Sequence, residues 1–73
     1  MMNTTHQEIA EAASNLLARS TVLELRQLRV DGSSAQLQLS GRVRSYYHKQ
    51  LAQETVRPVA CGMQMVNRVH VLG

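Results

Sequence analysis

The chain has 73 residues, of which 44% are apolar and 18% are charged, and its net charge is +3. This composition excludes a disordered chain, and the length allows one domain with one core but little room for an enclosed substrate cavity. All but one of the eight cationic side chains are arginine, a residue that suits phosphate and carboxylate partners. The modest charge predicts weak steering towards such anions and no more.

Cys61 is the only cysteine, so an internal disulfide is excluded, which fits a reducing compartment. The first residues lack a basic segment followed by an apolar run, and a signal peptide is therefore not predicted. No stretch approaches the 18 apolar residues typical of a membrane-spanning helix. These features predict a soluble domain, cytoplasmic by sequence.

The N-terminal pattern predicts a helix from about Thr5 to about Arg19, after a loose start over residues 1–4. Thr5 and Glu8 have the spacing of a capping box. Apolar residues then recur at helical spacing on one stripe: Ile9, Ala12, Ala13, Leu16 and Leu17.

The middle of the chain predicts a β-hairpin. The apolar residues Leu23, Leu25, Leu28 and Val30 change parity, which indicates either a bulge near 26–27 or a strand that begins near Gln27. Residues 31–34 have turn composition. A strictly alternating strand follows, with Ala35, Leu37, Leu39, Gly41 and Val43 facing inward. Gly41 at an inward position indicates a close backbone approach or a bend.

A second helix is predicted from about Tyr46 to Arg57, with Ser45 as its N-cap and Pro58 at its end or at a kink. Its inward face is expected to comprise Tyr47, Leu51, Ala52, Thr55 and Val59. Cys61 and Gly62 close the segment. In the last strand Met65, Val69 and Val71 alternate with Val66, Arg68 and His70.

These elements predict an α+β fold of order α-β-β-α-β in a single domain spanning residues 1–73. The hairpin is antiparallel, and the last strand returns through a helix, so it should pair in parallel by a right-handed crossover. Each helix has one apolar stripe, and both helices should therefore pack on one face of a three-stranded mixed sheet.

The segment 39–45, Leu-Ser-Gly-Arg-Val-Arg-Ser, resembles the second strand of a BON domain. The segments on either side fit the same family: an apolar strand with an Asp-Gly turn at 28–32 precedes it, and Gly62 and a Val/Asn strand at 66–71 follow it. The resemblance covers about residues 16–71, and its structural motif includes Gly32, Gly41 and Gly62. The chain departs from the family pattern over residues 33–35, Ser-Ser-Ala, where the family usually has a glycine just before the second strand, at Pro58, and in a spacing from Gly62 to Asn67 that is one residue short.

The resemblance implies a phospholipid-interacting module. Domains of this family occur in bacterial periplasmic stress proteins, haemolysins, channels and secretion proteins, so it implies contact with lipid or membrane surfaces. The resemblance also implies a location outside the cytoplasm, whereas the N-terminal sequence does not predict a signal peptide.

The sheet face turned away from the helices is the first candidate site, and it is expected to carry Arg29, Gln36, Gln38, Ser40, Arg42, Arg44, Arg68 and His70. Arginine forks can hold phosphates. An ordinary solvated face explains the same residues and is the favoured interpretation. The candidate lipid- or anion-binding residues are Arg29, Arg42, Arg44, Arg68, Tyr46 and Lys49.

Two further segments have a functional and a structural interpretation. The segment Tyr46–Lys49 combines interfacial tyrosines with cationic residues that can meet anionic headgroups, whereas the favoured alternative places Tyr47 in the core and Tyr46 partly over the surface. Met63 and Met65 form an adaptable contact loop or, as favoured, fill gaps in a core without Phe or Trp.

Catalytic and metal-binding signatures are missing from the sequence. His6, His48 and His70 are scattered, Cys61 has no adjacent base, and no phosphate-binding glycine loop or paired acidic motif occurs. We therefore expect a non-enzymatic binding module without metal or cofactor. Its expected partner is an anionic phospholipid or membrane surface. The alternative is protein interaction or self-assembly, including a homodimer, and nucleic-acid binding through the arginine face ranks third.

Overall fold

The structure of the protein, a computed structural model, describes residues 6–33, 35–60 and 62–72. Its elements in chain order are α1 (His6–Ala18), a 3-10 helix (Leu23–Gln27), β1 (Arg29–Ser33), β2 (Gln36–Ser40), β3 (Arg42–Val43), α2 (Tyr46–Val56), a second 3-10 helix (Arg57–Val59), β4 (Gln64–Asn67) and β5 (His70–Val71). The predicted α+β order is confirmed. The predicted second strand is divided into β2 and β3, and the predicted last strand is divided into β4 and β5.

The strands form a mixed sheet. Strand β2 lies in the centre, with β1 antiparallel on one side and β4 parallel on the other, and β3 pairs in parallel with β5. Each residue of the parallel ladder pairs with one 28 positions later, from Gln36 with Gln64 to Val43 with Val71. Because this offset does not change across the interruption, β3 and β5 continue the ladder of β2 and β4.

One hydrophobic core joins both helices to the same face of the sheet. Its buried members are Ile9, Ala10, Ala13, Leu17, Leu25, Leu28, Leu37, Leu39, Val43, Ala52, Val56, Ala60, Met63 and Val69. Small and aliphatic side chains make up this core, and Met63 fills part of it, as predicted. Burial of this apolar surface is the main favourable contribution to folding.

The segment between α1 and β1 differs from both predicted alternatives. A 3-10 helix occupies Leu23–Gln27, and the strand begins only at Arg29. Leu25 and Leu28 are both buried, and a spacing of three residues matches the three residues per turn of a 3-10 helix. Leu23, in contrast, is 68% exposed.

The hairpin turn lies later in the chain than its composition predicted. Strand β1 continues through Asp31 and Gly32 to Ser33, which pairs with Gln36. The connection therefore comprises residues 34–35, of which 34 lies outside the described residues. Ala35 has a φ of 62°, a left-handed conformation that costs an L-residue about 1–2 kcal/mol.

Gly41 makes the close backbone approach that its inward position predicted. It lies between β2 and β3 with a φ of +130°, and a Cβ placed on it would lie 2.6 Å from Leu28 Cδ2 and 3.4 Å from Leu28 Cα. Val43, two residues later, is buried again. Glycine at this position lets the strand pass Leu28 without losing its alternation.

The second helix begins and ends as predicted, but its inward face is rotated. Ser45 Oγ accepts a hydrogen bond from the backbone N–H of His48 at 3.1 Å, and Pro58 lies in the 3-10 helix that follows Val56. The placement of Tyr47 in the core is wrong, because this side chain is 68% exposed. The innermost stripe of α2 passes through positions 48, 52 and 56, which leaves position 47 about 100° away from it.

Asn67 ties the end of β4 to α2. Its Nδ2 donates to the carbonyl oxygen of Lys49 at 2.9 Å and to Gln53 Oε1 at 3.3 Å, while its Oδ1 accepts a hydrogen bond from the backbone N–H of Val69 at 3.1 Å. The Val69 amide lies between those of Arg68 and His70, which donate to the carbonyl oxygens of Leu39 and Gly41, so the Asn67 side chain gives a partner to an amide that the sheet ladder does not use.

Candidate functional site

Three arginines and a histidine lie together on the outer face, the sheet face turned away from the helices. Arg29 pairs with Ser40 across the antiparallel ladder, and Arg42 pairs with His70 across the parallel one. Arg68 follows β4 and donates its backbone N–H to the carbonyl oxygen of Leu39 at 2.8 Å, which places Arg68 beside Ser40 on the opposite side from Arg29. We call Arg29, Ser40, Arg42, Arg68 and His70 the outer-face cluster.

The three arginine side chains and the His70 side chain of the outer-face cluster are exposed. Within residues 6–33, 35–60 and 62–72, none of the four makes a side-chain hydrogen bond or ion pair. Arg57 differs in this respect, because its Nη2 lies 2.8 Å from Glu54 Oε2. The cluster therefore concentrates positive charge. The exposed acid Asp31 stands on the same face, paired with Gln38 in the row next to Arg29 and Ser40, but it forms no ion pair with the cluster among the described residues.

A second surface lies where β3 and β5 end and α2 begins. Its large apolar side chains are exposed, by 68% at Leu23, 63% at Tyr46, 68% at Tyr47 and 43% at Leu72. Leu23 and Leu72 line an open cleft of about 460 Å³ together with Glu24, Gln27, Arg42 and Arg44. We call Leu23, Arg42, Arg44, Tyr46, Tyr47 and Leu72 the end patch.

Glu24 holds the parts of the end patch together. Its Oε1 accepts a hydrogen bond from the backbone N–H of Arg44 at 3.1 Å and lies 2.6 Å from His48 Nδ1, and its Oε2 lies 3.7 Å from Arg44 Nε. An ionised carboxylate only accepts hydrogen bonds, so His48 carries its proton on Nδ1. The 3-10 helix with Leu23 is thereby fastened to β3 and to the first turn of α2, where the His48 ring packs 5.8 Å from the Tyr47 ring.

The bond from the Arg44 backbone N–H, followed by that from His48, holds the pKa of Glu24 below the ordinary value of a glutamate, about 4.3. A lowered pKa in the folded state stabilises the fold above the unfolded pKa, and this contribution is lost as the pH falls through the folded pKa. We therefore expect Glu24→Gln to lower the urea midpoint at pH 7, with a difference from wild type that shrinks as the pH is lowered below about 4.

The matched control is Glu54→Gln, because the Glu54–Arg57 pair lies on the surface with side chains 56% and 63% exposed. Such exposed pairs contribute little to stability, so this variant should unfold close to wild type at both pH values. An equal loss for Glu24→Gln at pH 7 and below pH 4 would contradict the role of the carboxylate charge.

The candidate residues divide between the two surfaces. Arg29 and Arg68 lie in the outer-face cluster, Arg42 belongs to both surfaces, and Arg44 turns towards Glu24 with its side chain 87% exposed. Tyr46 is exposed in the end patch, as its interfacial interpretation requires. Lys49 is half-buried on α2 and is not among the residues that line the cleft.

Sequence reasoning missed Leu23, Glu24 and Leu72. The change of parity after Leu25 was the available signal that Leu23 does not belong to a buried strand. No comparable signal marked Glu24, because its partners lie 20 and 24 residues away. Leu72 directly follows the last strand, where alternation with the buried Val69 and half-buried Val71 turns it outward.

The described part of the chain holds no group of three or more His, Cys, Asp or Glu side chains placed to bind a metal ion. Cys61 lies outside the described residues, as does the predicted cap at Thr5. Among the described helices, none has the length and apolar content needed to cross a bilayer.

Compared with models of known protein families, the chain matches none, and no curated protein matches it either. The resemblance to BON domains is therefore carried by the residues of segments 28–32, 39–45 and 66–71 alone, and it stays a prediction.

Proposed function

We propose that the protein is a non-catalytic binding module that associates with anionic phospholipid surfaces through its end patch. One observation carries the proposal. Of the large apolar side chains that are exposed on the described part of the chain, Leu23 and Leu72 line one cleft with Arg42 and Arg44, and Tyr46 and Tyr47 follow Arg44 by two and three residues. Apolar side chains scattered singly over a surface need no explanation, but a group of them beside cations is typical of an interaction site.

The composition of the end patch suits the interfacial region of a bilayer. Tyrosine rings have an apolar body and a polar tip, and they concentrate at the level of the lipid headgroups. Leucine side chains gain about 25 cal/mol for each Å² of apolar surface that they remove from water. Each arginine near an anionic leaflet adds about 1 kcal/mol of electrostatic attraction. The BON resemblance supports the same class of ligand.

The test is vesicle co-sedimentation at low and high salt, with vesicles of phosphatidylcholine alone and vesicles that also contain phosphatidylglycerol. We expect binding only to the anionic vesicles, weakened by salt because surface charges are screened. Leu23→Ser/Leu72→Ser should reduce the partition coefficient at least tenfold, since two exposed leucines lose their apolar contact with the bilayer.

Arg44→Gln and Arg57→Gln form a matched pair for the charge contribution. Each removes one exposed arginine that faces a glutamate, but only Arg44 lies in the end patch. Arg44→Gln should weaken binding about fivefold, which corresponds to the attraction of one cation, whereas Arg57→Gln should bind like wild type. Equal effects of the two variants, or equal binding to zwitterionic vesicles, would refute the proposal.

Protein contact through a sheet edge is the second candidate. Strands β1 and β4 each have one hydrogen-bonded neighbour within the described residues, and a free edge can accept a strand from another chain. Dimerisation that depends on concentration and not on salt, together with no vesicle binding, would favour this function. Nucleic-acid binding has weaker support, because the only aromatic residues are Tyr46 and Tyr47, on α2 rather than on the outer face.

A further inference from the structure

The outer-face cluster brings three arginines close together on one face of the sheet. Arg29, Arg42 and Arg68 stand within two residue steps of Ser40, with Arg29 and Arg68 on opposite sides of β2. None of the three has a side-chain partner among the described residues. Of the exposed arginines elsewhere, Arg44 and Arg57 each face a glutamate, whereas Arg19 and Arg26 make no ion pair among the described residues.

The sheet register places these residues around Ser40 on one face. Neighbouring strands lie about 4.8 Å apart, so Arg29 and Arg68 stand on either side of Ser40 across roughly 10 Å. Arg42 and His70 form the next outward row, about 7 Å along the strands. Arginine side chains are long enough to bring their guanidinium groups together above Ser40 from both sides.

We propose that Ser40 and the surrounding outer-face cluster form a binding site for a phosphomonoester group. This inference deepens the proposed function, since it names the headgroup chemistry that the module prefers. Guanidinium forks bind phosphate oxygens in bidentate fashion, and the Ser40 hydroxyl can donate a hydrogen bond to a third oxygen. A monoester carries a charge of about −1.5 to −2 at pH 7, which matches a site of three arginines better than the single charge of a phosphodiester.

Arg42 connects this site to the end patch, because it pairs with His70 on the outer face and also lines the cleft beside Leu72. A monoester phosphate can come from a lipid headgroup, as in phosphatidic acid, or from a soluble metabolite. The shared chemistry is the dianionic phosphate, and the two sources can be separated by experiment.

The soluble source is tested by following backbone amide resonances during titration with glycerol 3-phosphate, with glycerophosphocholine as the phosphodiester control at equal ionic strength. We expect saturable shifts centred on Ser40, Arg29 and Arg68 with the monoester, and at least tenfold weaker binding of the diester. Arg29→Gln/Arg68→Gln should weaken monoester binding at least tenfold. Arg19→Gln/Arg57→Gln, which removes the same charge from residues outside the sheet, should bind within twofold of wild type.

The lipid source is tested with vesicles that contain phosphatidic acid or phosphatidylglycerol and are matched in zeta potential. A preference for phosphatidic acid that disappears in Arg29→Gln/Arg68→Gln supports a lipid-borne ligand. Saturable binding of glycerol 3-phosphate without that preference supports the same site with a soluble ligand.

The inference is overturned if glycerol 3-phosphate causes no saturable shift and phosphatidic acid is not preferred. In that case vesicle binding that still depends on Leu23 and Leu72 would leave the proposed function intact. Conversely, glycerol 3-phosphate binding by a protein that ignores every vesicle would refute the membrane proposal and support the phosphate site.

Discussion

Replacing Gly41 with alanine is expected to lower the free energy of unfolding by about 3 kcal/mol. Two costs add at this position. The backbone has a φ of +130°, which an L-residue rarely adopts, and the new Cβ would lie 2.6 Å from Leu28 Cδ2. Leu28 is 6% exposed and packed in the core, so its side chain has little room to move aside. Its Cα at 3.4 Å from the new Cβ limits movement of the strand in the same direction.

Gly62 provides the matched control, because its φ of +80° is also positive but nothing lies within 4 Å of a Cβ placed there. Gly62→Ala should therefore show only the backbone cost, about 1 kcal/mol. The losses caused by Gly41→Ala and Leu28→Ala should be less than additive in the double variant, since Leu28→Ala removes the atom that collides. Urea unfolding of wild type, the two single variants and the double variant measures this coupling. Equal losses at Gly41 and Gly62 would show that the contact with Leu28 does not matter.

Truncating Leu37 to alanine is expected to cost about 3 kcal/mol. Leu37 is fully buried in the central strand β2, where it pairs with Gly32 on one side and with Met65 on the other. The core contains no aromatic ring that could shift into the space left behind, so the cavity should persist. A chain of 73 residues has a total stability of about 4–11 kcal/mol, and this single change removes a large part of it.

Leu23→Ala is the control for this variant, because it removes the same atoms from a side chain that is 68% exposed. We expect its free energy of unfolding to stay within about 0.5 kcal/mol of wild type, while vesicle binding decreases. Thermal and urea unfolding, measured beside vesicle binding, separate the two effects. A stability loss for Leu23→Ala as large as that for Leu37→Ala would contradict the exposed position of Leu23.

The elements that depend on local spacing could be predicted from the sequence. Alternation from Leu37 to Val43 can bury only one set of side chains, which determined the inward face of β2 and β3 correctly. The Ser45 cap was predictable because its hydrogen bond to His48 spans three residues. The parallel pairing of the last strand followed from the helix that precedes it and from the rule for crossover connections.

The errors arose where tertiary neighbours decide between local alternatives. Asp31, Gly32 and Ser33 have turn composition, yet they pair with β2 because an edge strand tolerates such residues and the chain turns at residues 34–35 instead. Tyr47 lies in the first turn of α2, one position before the inward-facing His48. The apolar spacing of a short helix did not distinguish these two positions.

The candidate site could be predicted only in part. The outward positions of Arg29, Arg42 and Arg68 followed from strand parity, so the outer-face cluster was largely foreseen. The end patch was not, because it joins Leu23, Tyr46 and Leu72 from three separated segments. The hydrogen bonds of Glu24 bring two of these segments together, and their spans of 20 and 24 residues leave no mark on local sequence patterns.

The constant separation of 28 residues in the parallel ladder has a consequence for the order of folding. Every pair in that ladder must close a loop of the same length, and the entropy of loop closure is lost before any hydrogen bond of the ladder forms. The hairpin of β1 and β2 closes across two residues and meets no such barrier. We therefore expect the hairpin to form first. The pairing of β4 with β2 and of β5 with β3 should then complete the rate-limiting step.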